Sequence, residues 1–382
     1  MTESQPTATA RELAILMRRG DLPGSDTNYG RLVANKGLFG ALRRHGGYDT
    51  IHWLVGREEH REHEVFDQLK QALGPGHCRD VLGSLLSTHP AVQAGTLLHG
   101  SAYVGASAWL RRHNNQERRY SLVGTFYGVA VAEVREQMLG SLLTPLHPWD
   151  ALICSSPTVQ TAVRGMLETM GAYLAERTGA RHLPLPQLPV IPIGVDAPAM
   201  AARRSDGQAR RSLRQQLGIS DAAVAVLWVG RLSWFDKAFP QPMLLALQQA
   251  AELSTVPLHF VVAGYFRDGD YNRPRFEEAA RVLAPDVTLH LLDGNDQELV
   301  ARCWAAGDIF LSLSDTILET FGQAPVEAMA AGLPVVLSDW DGYRSLLCHG
   351  EEGLLIPTLA APAEGNGHWL ALSQAMGMAD FR

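Results

Sequence analysis

Cysteine is scarce in this sequence, and the few cysteines form no pattern. Cys78, Cys154, Cys303 and Cys348 lie far apart along the chain, and no Cys-x-x-Cys pair occurs. Disulfide frameworks and zinc knuckles need cysteines at close, regular spacings, so the sequence indicates neither of them. This usage fits a protein that works in a reducing compartment.

Long apolar runs and an excess of basic charge are also missing. No stretch reaches the length of a membrane span, and residues 1–20 lack the apolar segment and cleavage site of a signal peptide. The 33 Lys and Arg residues face 40 Asp and Glu residues, a net charge of −7. We therefore expect a cytoplasmic protein that binds no nucleic acid. The basic residues of segment 111–119 leave open a peripheral contact with the inner face of a membrane.

Several cofactor and metal motifs are absent or unconvincing. No Gly-x-Gly-x-x-Gly run follows an early strand, which argues against nicotinamide binding. The Asp-x-Asp triplets at 268–270 and 339–341 are interpreted as loops, because such triplets often arise by chance. The histidines of segment 59–64 are interpreted as one solvated face of a helix. We expect neither a metal ion nor a cofactor.

What the sequence does contain is a large apolar fraction arranged in short runs. Its 382 residues, 46% of them hydrophobic, are too many for one ordinary core and predict two α/β domains. Apolar runs alternate with helical patterns in both halves, which favours mainly parallel sheets with helices on both faces. Small and polar residues interrupt this alternation near residue 200, so we predict domains at 1–200 and 201–382. Strands are predicted at 51–55, 96–99, 121–126, 151–155 and 190–194, and then at 224–229, 258–263, 287–292, 309–313 and 335–338.

Two cations follow the first predicted strand of the second half. Gly230 and Arg231 come directly after Val224–Val229, and Lys237 lies a few residues further on. Ligands of open α/β sheets bind outside the carboxyl ends of the strands. Arg231 and Lys237 are therefore predicted to bind a diphosphate there.

Two glutamates separated by seven residues follow the strand at 309–313. Glu319 lies in a glycine-containing turn and Glu327 lies in the first turns of the next predicted helix. The free N–H groups at a helix start can bind an anion, and a nearby carboxylate can accept hydrogen bonds from sugar hydroxyls. By spacing alone, the pair could equally be a loop charge and a charge that complements the helix dipole.

The wider segment resembles the retaining glycosyltransferases of family four, which have the GT-B fold. The resemblance rests on Glu319-Thr-Phe-Gly and on Glu327-Ala-Met-Ala-Ala-Gly-Leu-Pro-Val, together with Arg231, Lys237 and the run Gly350–Pro357. It implies two Rossmann-like, doubly wound parallel-sheet domains facing a cleft. It also implies metal-independent hexosyl transfer from a nucleotide-diphosphate sugar, such as a UDP- or GDP-sugar, with retention of anomeric configuration.

The resemblance also implies roles for single residues on the donor side. Arg231 and Lys237 would neutralise the leaving diphosphate, which agrees with the need to stabilise departing charge. Glu319 would lie beside the donor sugar, and Glu327 would bind the ribose hydroxyls. The complete predicted donor site is Gly230, Arg231, Lys237, Leu292, Asn295, Glu319, Thr320, Phe321, Gly322 and Glu327, with the base near Leu292–Asn295.

The first half resembles the family less and would bind the acceptor, which could be a glycan, a lipid or a small molecule. The acceptor-side candidates are Asn35, Gly40 and His99. Tyr127 follows the strand at 121–126, where many relatives have a histidine beside the donor sugar, and we include it among the catalytic candidates. Tyrosine replaces imidazole poorly near neutral pH. His99 could fill that role or be an ordinary buried histidine.

Two other functions remain open at this point. Tyr127 and the short C-terminal region would also suit a nucleotide-sugar-binding or assembly protein with impaired catalysis. A nucleotide-sugar epimerase could use the same fold and the same donor site.

Overall fold

The chain folds into two compact units in a computed structural model. The model describes residues 10–18, 21, 30–55, 62–84, 86–130, 132–181, 183–233, 237, 239–266 and 272–359. The second unit begins at Val195 and also takes in residues 130–132. The Asp-x-Asp triplet at 268–270 and the first residues of the histidine segment 59–64 lie outside the described residues.

The described part of the first unit contains one sheet of six parallel strands, in the order β3-β2-β1-β4-β5-β6. Its central strands are buried on both faces, as parallel strands flanked by helices must be. The strands are β1 (Glu12–Met17), β2 (Thr50–Val55), β3 (Arg79–Ser84), β4 (Thr96–His99), β5 (Ser121–Phe126) and β6 (Ala151–Cys154).

Helices of the first unit connect these strands. The longest begins where the Ser156 side chain accepts a hydrogen bond from Val159 N, and it ends where Gly179 adopts a left-handed conformation with a φ of 72°. The helices are α1 (Gly30–His45), α2 (Glu62–Leu73), α3 (His89–Ala94), α4 (Gly105–His113), α5 (Ala132–Gly140) and α6 (Pro157–Thr178).

Two strands of this sheet were not predicted, and one predicted strand is wrong. β1 is a short apolar run, which periodicity alone does not separate from helix. β3 lies at one edge of the sheet and contains Arg, Asp, Gly and Ser. The strand predicted at 190–194 is reduced to an isolated bridge between Val190 and Cys154.

The described part of the second unit contains another six-stranded parallel sheet, in the order β12-β11-β10-β7-β8-β9. All five strands predicted in this half are confirmed, and Gly353–Pro357 adds a sixth at the edge. The strands are β7 (Val224–Leu232), β8 (Leu258–Phe266), β9 (Val287–Asp293), β10 (Ile309–Ser312), β11 (Val335–Asp339) and β12 (Gly353–Pro357).

Apolar clusters cover both faces of this second sheet. One is centred on Leu227, Trp304 and Phe310, and the other on Phe260 and Met243. Helices therefore lie on both sides, which is the doubly wound arrangement that the alternating pattern predicts. The helices are α7 (Ala197–Ser205), α8 (Gly207–Gln216), α9 (Pro240–Leu253), α10 (Arg273–Leu283), α11 (Gln297–Ala306) and α12 (Gln323–Ala330).

Candidate functional site

The order of the second sheet reverses between β7 and β10. The chain proceeds outward from β7 through β8 to β9, and then returns to β10 on the other side of β7. Helices that leave two neighbouring strands toward opposite faces open a crevice at the carboxyl ends of those strands. At this point β7 ends at Leu232 and β10 ends at Ser312.

An ion pair joins the two segments that leave these strands. The Lys237 Nζ donates a hydrogen bond to Glu319 Oε2 at 2.7 Å. The Glu319 side chain is only 9% exposed and that of Lys237 is 29% exposed. Each of the two partly buried charges compensates the other. The ion pair therefore fixes the position of the Glu319 carboxylate.

Serine hydroxyls hold the same two segments together through the backbone. Ser314 donates to the carbonyl of Lys237, and Ser338 donates to the carbonyl of Ser314. Both serines are buried. The end of β11 therefore supports the loop after β10, and that loop supports the segment after β7.

Gly342 fixes the backbone that carries Glu319. Its N–H donates to the carbonyl of Glu319 at 3.1 Å. A Cβ at Gly342 would overlap the peptide between Thr320 and Phe321, so only glycine allows this approach. The indole N–H of Trp340 also donates to the carbonyl of Thr316 at 3.0 Å. The loop 316–321 is thus held from the segment that follows β11.

Helix α12 begins directly after this loop. Gly322 is its N-cap residue, with a φ of 98° and no side-chain cap. A Cβ there would overlap the ring of Tyr343, which is buried, and the backbone conformation also favours glycine. Thr320 and Phe321 are buried just before the helix. First-turn N–H groups of a helix carry partial positive charge and suit an anionic ligand.

Glu327 lies one turn into α12 and is partly buried. Its Oε1 accepts a hydrogen bond from Gln323 Nε2 at 3.2 Å. Burial raises the pKa of Glu327 to about 7, although Gln323 and the charge of Arg203 act to lower it. Glu327 therefore carries a partial proton near neutral pH, and it can both donate and accept hydrogen bonds.

A further carboxylate of the site, Asp341, was not recognised in the sequence. Asp341 begins the 3-10 helix Asp341–Ser345 with a φ of 41°, a conformation unusual for a residue with a side chain. Burial and the charge of Glu319 raise its pKa to about 7, although the charge of Arg344 acts to lower it. The available signal was the triplet Asp339-Trp-Asp341, which sequence reasoning interpreted only as a loop.

The remaining residues predicted for the donor site lie at the carboxyl ends of β7 and β9. Gly230 and Arg231 extend β7 beyond its predicted end and pair with Gly264 and Tyr265 of β8. Leu292 pairs with Ala263 near the end of β9. Asn295 follows β9, is exposed, and donates through its backbone N–H to Asp293 Oδ1 at 2.9 Å. These residues lie at the same end of the sheet as Lys237 and Glu319, the end formed by the carboxyl ends of the strands.

Two residues predicted in the first half, Asn35 and Tyr127, meet at the corresponding point of the first sheet, where its order reverses between β1 and β4. The Asn35 Nδ2, on α1, donates to the carbonyls of Asp21 at 2.9 Å and of Gly100 at 3.1 Å. The Tyr127 hydroxyl donates to Asn35 Oδ1 at 2.7 Å. Burial raises the pKa of Tyr127, so this tyrosine is a hydrogen-bond donor and no base at neutral pH.

His99 ends β4 beside this group, and it is a buried neutral histidine. It is 1% exposed, and neither ring nitrogen has a hydrogen-bond partner among the described residues. Burial and the charge of Arg18 together lower its pKa to about 3. Gly40 lies further along α1, next to the Arg44 guanidinium. It takes no part in the hydrogen bonds described for Asn35.

Two structural observations bear on cofactors and membranes. Within the described residues, the one group of three metal-ligating side chains is Cys348, Glu351 and Glu352, which are exposed and lie on the loop before β12. Exposed acidic groups of this kind are common without a metal. Among the described helices, none has both the length and the apolar content needed to cross a bilayer.

The second unit matches a known protein family. Residues 209–364 match the sequence model described as glycosyl transferases group 1. The chain is 31% identical over 166 residues to a D-inositol 3-phosphate glycosyltransferase of Rhodococcus erythropolis, covering 43% of this chain and 37% of that protein. It is 27% identical over 237 residues to a phosphatidyl-myo-inositol mannosyltransferase of Mycobacterium tuberculosis, covering 62% and 53%. The matched part is thus between a third and about half the length of these relatives.

Solved structures extend the similarity to both units. The structure of Anabaena HepE in complex with UDP superimposes with a TM-score of 0.59 at 16% identity, covering 91% of this chain and 85% of that chain. A trehalose-6-phosphate protein of E. coli bound with UDP-2-fluoro glucose superimposes with a TM-score of 0.56 at 13% identity, covering 97% and 92%. At these identities the likeness concerns the fold. The chain has the GT-B fold, and its residues 209–364 match the family of group 1 glycosyl transferases.

Proposed function

We propose that this protein is a glycosyltransferase that moves a sugar from a nucleotide-diphosphate sugar to an acceptor hydroxyl, with retention of anomeric configuration. The observation that carries the proposal is the Lys237–Glu319 ion pair at the strand-order reversal of the second sheet. It lies within the part of the chain that matches group 1 glycosyl transferases. Retention is supported by the resemblance of the Glu319–Glu327 segment to the family four enzymes.

Positive charge at the carboxyl end of the second sheet suits a diphosphate. Lys237 and Arg231 bring two cations to the carboxyl end of β7, and the N-terminus of α12 lies at the same end of the sheet. Both features stabilise negative charge that develops on a departing phosphate oxygen. In the proposed complex, the amide groups of Phe321 and Gly322 face the phosphate or the sugar.

The carboxylates would fix the other parts of the donor. Glu319, held by Lys237, would accept hydrogen bonds from the sugar. Glu327 would bind the ribose hydroxyls, for which a carboxyl group near its pKa can serve as donor and acceptor. The base would lie near Leu292 and Asn295, at the end of β9.

The reaction breaks the bond between the anomeric carbon and the β-phosphate oxygen and forms a bond from that carbon to the acceptor oxygen. The electron pair of the broken bond leaves with the nucleoside diphosphate. The acceptor's proton passes to that leaving group, so no further reactant is needed. We propose that the two cations and the helix N-terminus stabilise the leaving group without an essential metal ion.

The acceptor would bind at the strand-order reversal of the first sheet, where Asn35, Tyr127 and Asp21 meet. The names of the relatives concern inositol phosphate and a phosphatidylinositol. An acceptor of that kind, a lipid or a glycan, is part of the proposal, as is a peripheral contact with the inner face of a membrane.

The proposal is tested by donor turnover in Lys237→Ala and Glu319→Ala variants. We expect each variant to lower nucleoside diphosphate release by at least a hundredfold, because each removes charge that is placed at the reacting centre. Addition of EDTA should leave the wild-type rate unchanged, and NMR of the product should show the donor's anomeric configuration. Unchanged turnover in both variants would remove the assignment of the site.

A further inference from the structure

The donor site contains a carboxylate that the family resemblance did not supply. Asp341 follows β11, and burial together with the charge of Glu319 raises its pKa. The adjoining residue, Gly342, donates its N–H to the Glu319 carbonyl. Asp341 is therefore attached to the same loop that carries the Glu319–Lys237 pair.

The conformation of Asp341 is unfavourable in the free protein. Its φ of 41° lies in the left-handed region. Among the described non-glycine residues, only Asn115 also has a positive φ. Its carboxyl group is also partly buried beside another carboxylate. Glycine would adopt this backbone without strain, and an amide would avoid the repulsion. A residue that keeps both a strained backbone and a neighbouring like charge is typical of a site that contacts a ligand.

The neighbouring aspartate of the same triplet is placed differently. Asp339 is exposed, and its Oδ1 accepts a hydrogen bond from Arg344 Nε at 3.0 Å. Asp339 therefore forms an ion pair on the surface, whereas Asp341 is partly buried and interacts with the charges of both Glu319 and Arg344. The triplet Asp339-Trp-Asp341 therefore does not act as one two-carboxylate unit.

We propose that Asp341 is a specificity residue for the donor, and that its side chain hydrogen-bonds a hydroxyl of the transferred sugar alongside Glu319. This inference rests on the proposed function. A carboxyl group placed beside Glu319 suits sugar hydroxyls better than phosphates, because it accepts hydrogen bonds from hydroxyls and its negative charge repels a phosphate. Asp341 should therefore contribute to binding of the glycosyl group and little to binding of the nucleoside diphosphate.

The test compares nucleotide sugars with the matching nucleoside diphosphates by isothermal titration calorimetry. The probes are UDP-glucose with UDP, GDP-mannose with GDP, and ADP-glucose with ADP, on wild type and on Asp341→Asn. For the pair that the wild type binds, we expect Asp341→Asn to weaken sugar-nucleotide binding at least tenfold. Binding of the nucleoside diphosphate should change less than twofold.

Two further variants separate a ligand contact from a folding defect. Asp341→Gly removes the side chain and relaxes the backbone, so it should unfold at no lower temperature than wild type and still lose the sugar preference. Asp339→Asn alters the exposed neighbour and should keep wild-type affinity for both probes. These variants keep the test decisive if Asp341→Asn folds poorly.

Each outcome bears on one of the two claims. Equal loss of affinity for sugar nucleotide and diphosphate, or no loss for either, overturns the role of Asp341 and leaves the donor site standing. The same holds if the wild type binds both members of a pair equally well. Failure of the wild type to bind any of the six probes overturns the proposed function, and the inference with it.

Discussion

Lys237 and Glu319, which are 82 residues apart in the chain, meet at 2.7 Å where the strand order of the second sheet reverses. One follows β7 and the other follows β10. Because these neighbouring strands carry their helices to opposite sides, their carboxyl ends leave a space in which both side chains meet. The pair thus connects the topology of the sheet to the chemistry of the site.

The first prediction concerns the energy of this pair. In a double-mutant cycle with Lys237→Met and Glu319→Gln, we expect a coupling energy of about 1–2 kcal/mol in urea unfolding, since the pair is largely shielded from water. The exposed pair Arg281–Glu278 is the control, and its cycle should show no resolvable coupling. Additive effects of Lys237→Met and Glu319→Gln would mean that the ion pair does not form in solution.

The second prediction concerns Gly342. Gly342→Ala should lower the free energy of unfolding by about 2–3 kcal/mol, because the new methyl group overlaps the peptide that follows Thr320. It should also weaken donor binding, because that peptide belongs to the loop that carries Glu319. The control is Gly165→Ala, in the middle of α6 with open space at its Cβ, which should raise stability by about 0.5–1 kcal/mol. A Gly342→Ala variant as stable as wild type would show that the loop is not packed as described.

The third prediction is a pH dependence at Glu327. Its pKa rises on folding from 4.5 to about 7, so between these values the folded protein binds more protons than the unfolded chain. Stability associated with Glu327 is therefore present below about pH 4.5 and is lost as the pH rises toward 7. Glu327→Gln should accordingly be more stable than wild type at pH 8, by up to about 3 kcal/mol, and equal to it near pH 4.5. Urea unfolding at both pH values measures this, and a difference independent of pH would contradict it.

The fourth prediction concerns His99, whose contribution makes the protein less stable as the pH falls, opposite to that of Glu327. Its pKa falls on folding from 6.5 to about 3, so the unfolded chain takes up a proton that the buried histidine does not. Acidification from pH 6.5 to 5 should remove about 2 kcal/mol of stability through this residue alone. His99→Leu should lose this part of the acid sensitivity, whereas substitution of the exposed His113 by Gln should keep it. Identical pH profiles for His99→Leu and wild type would show that His99 is hydrated.

Much of the second unit could be predicted from the sequence, and less of the first. Strands β7 to β11 are Val- and Leu-rich runs, and burial on both faces makes such runs easy to recognise. β1 has similar residues but stands close to a polar N-terminal segment, and β3 contains few apolar residues because it lies at an edge. The residue pattern of one strand does not show where in the sheet that strand lies.

The candidate site shows the same limit at the level of side chains. Glu319, Lys237 and Glu327 could be selected by motif and by their place after strands. The contact of Asn35 with Tyr127, 92 residues away, and the position of Asp341 beside Glu319 depend on tertiary structure. The left-handed φ of Asp341 has no sequence signal of its own, because Asp tolerates that conformation without requiring it.

The presence of a nucleotide-sugar site at Lys237 and Glu319 can be measured by calorimetric titration of the wild type and of Lys237→Ala with UDP-, GDP- and ADP-sugars. We expect the wild type to bind at least one of these donors with a dissociation constant in the millimolar range or below. Lys237→Ala should bind that donor at least tenfold more weakly. Absence of binding to all three donors, or equal binding by wild type and variant, would contradict the claim.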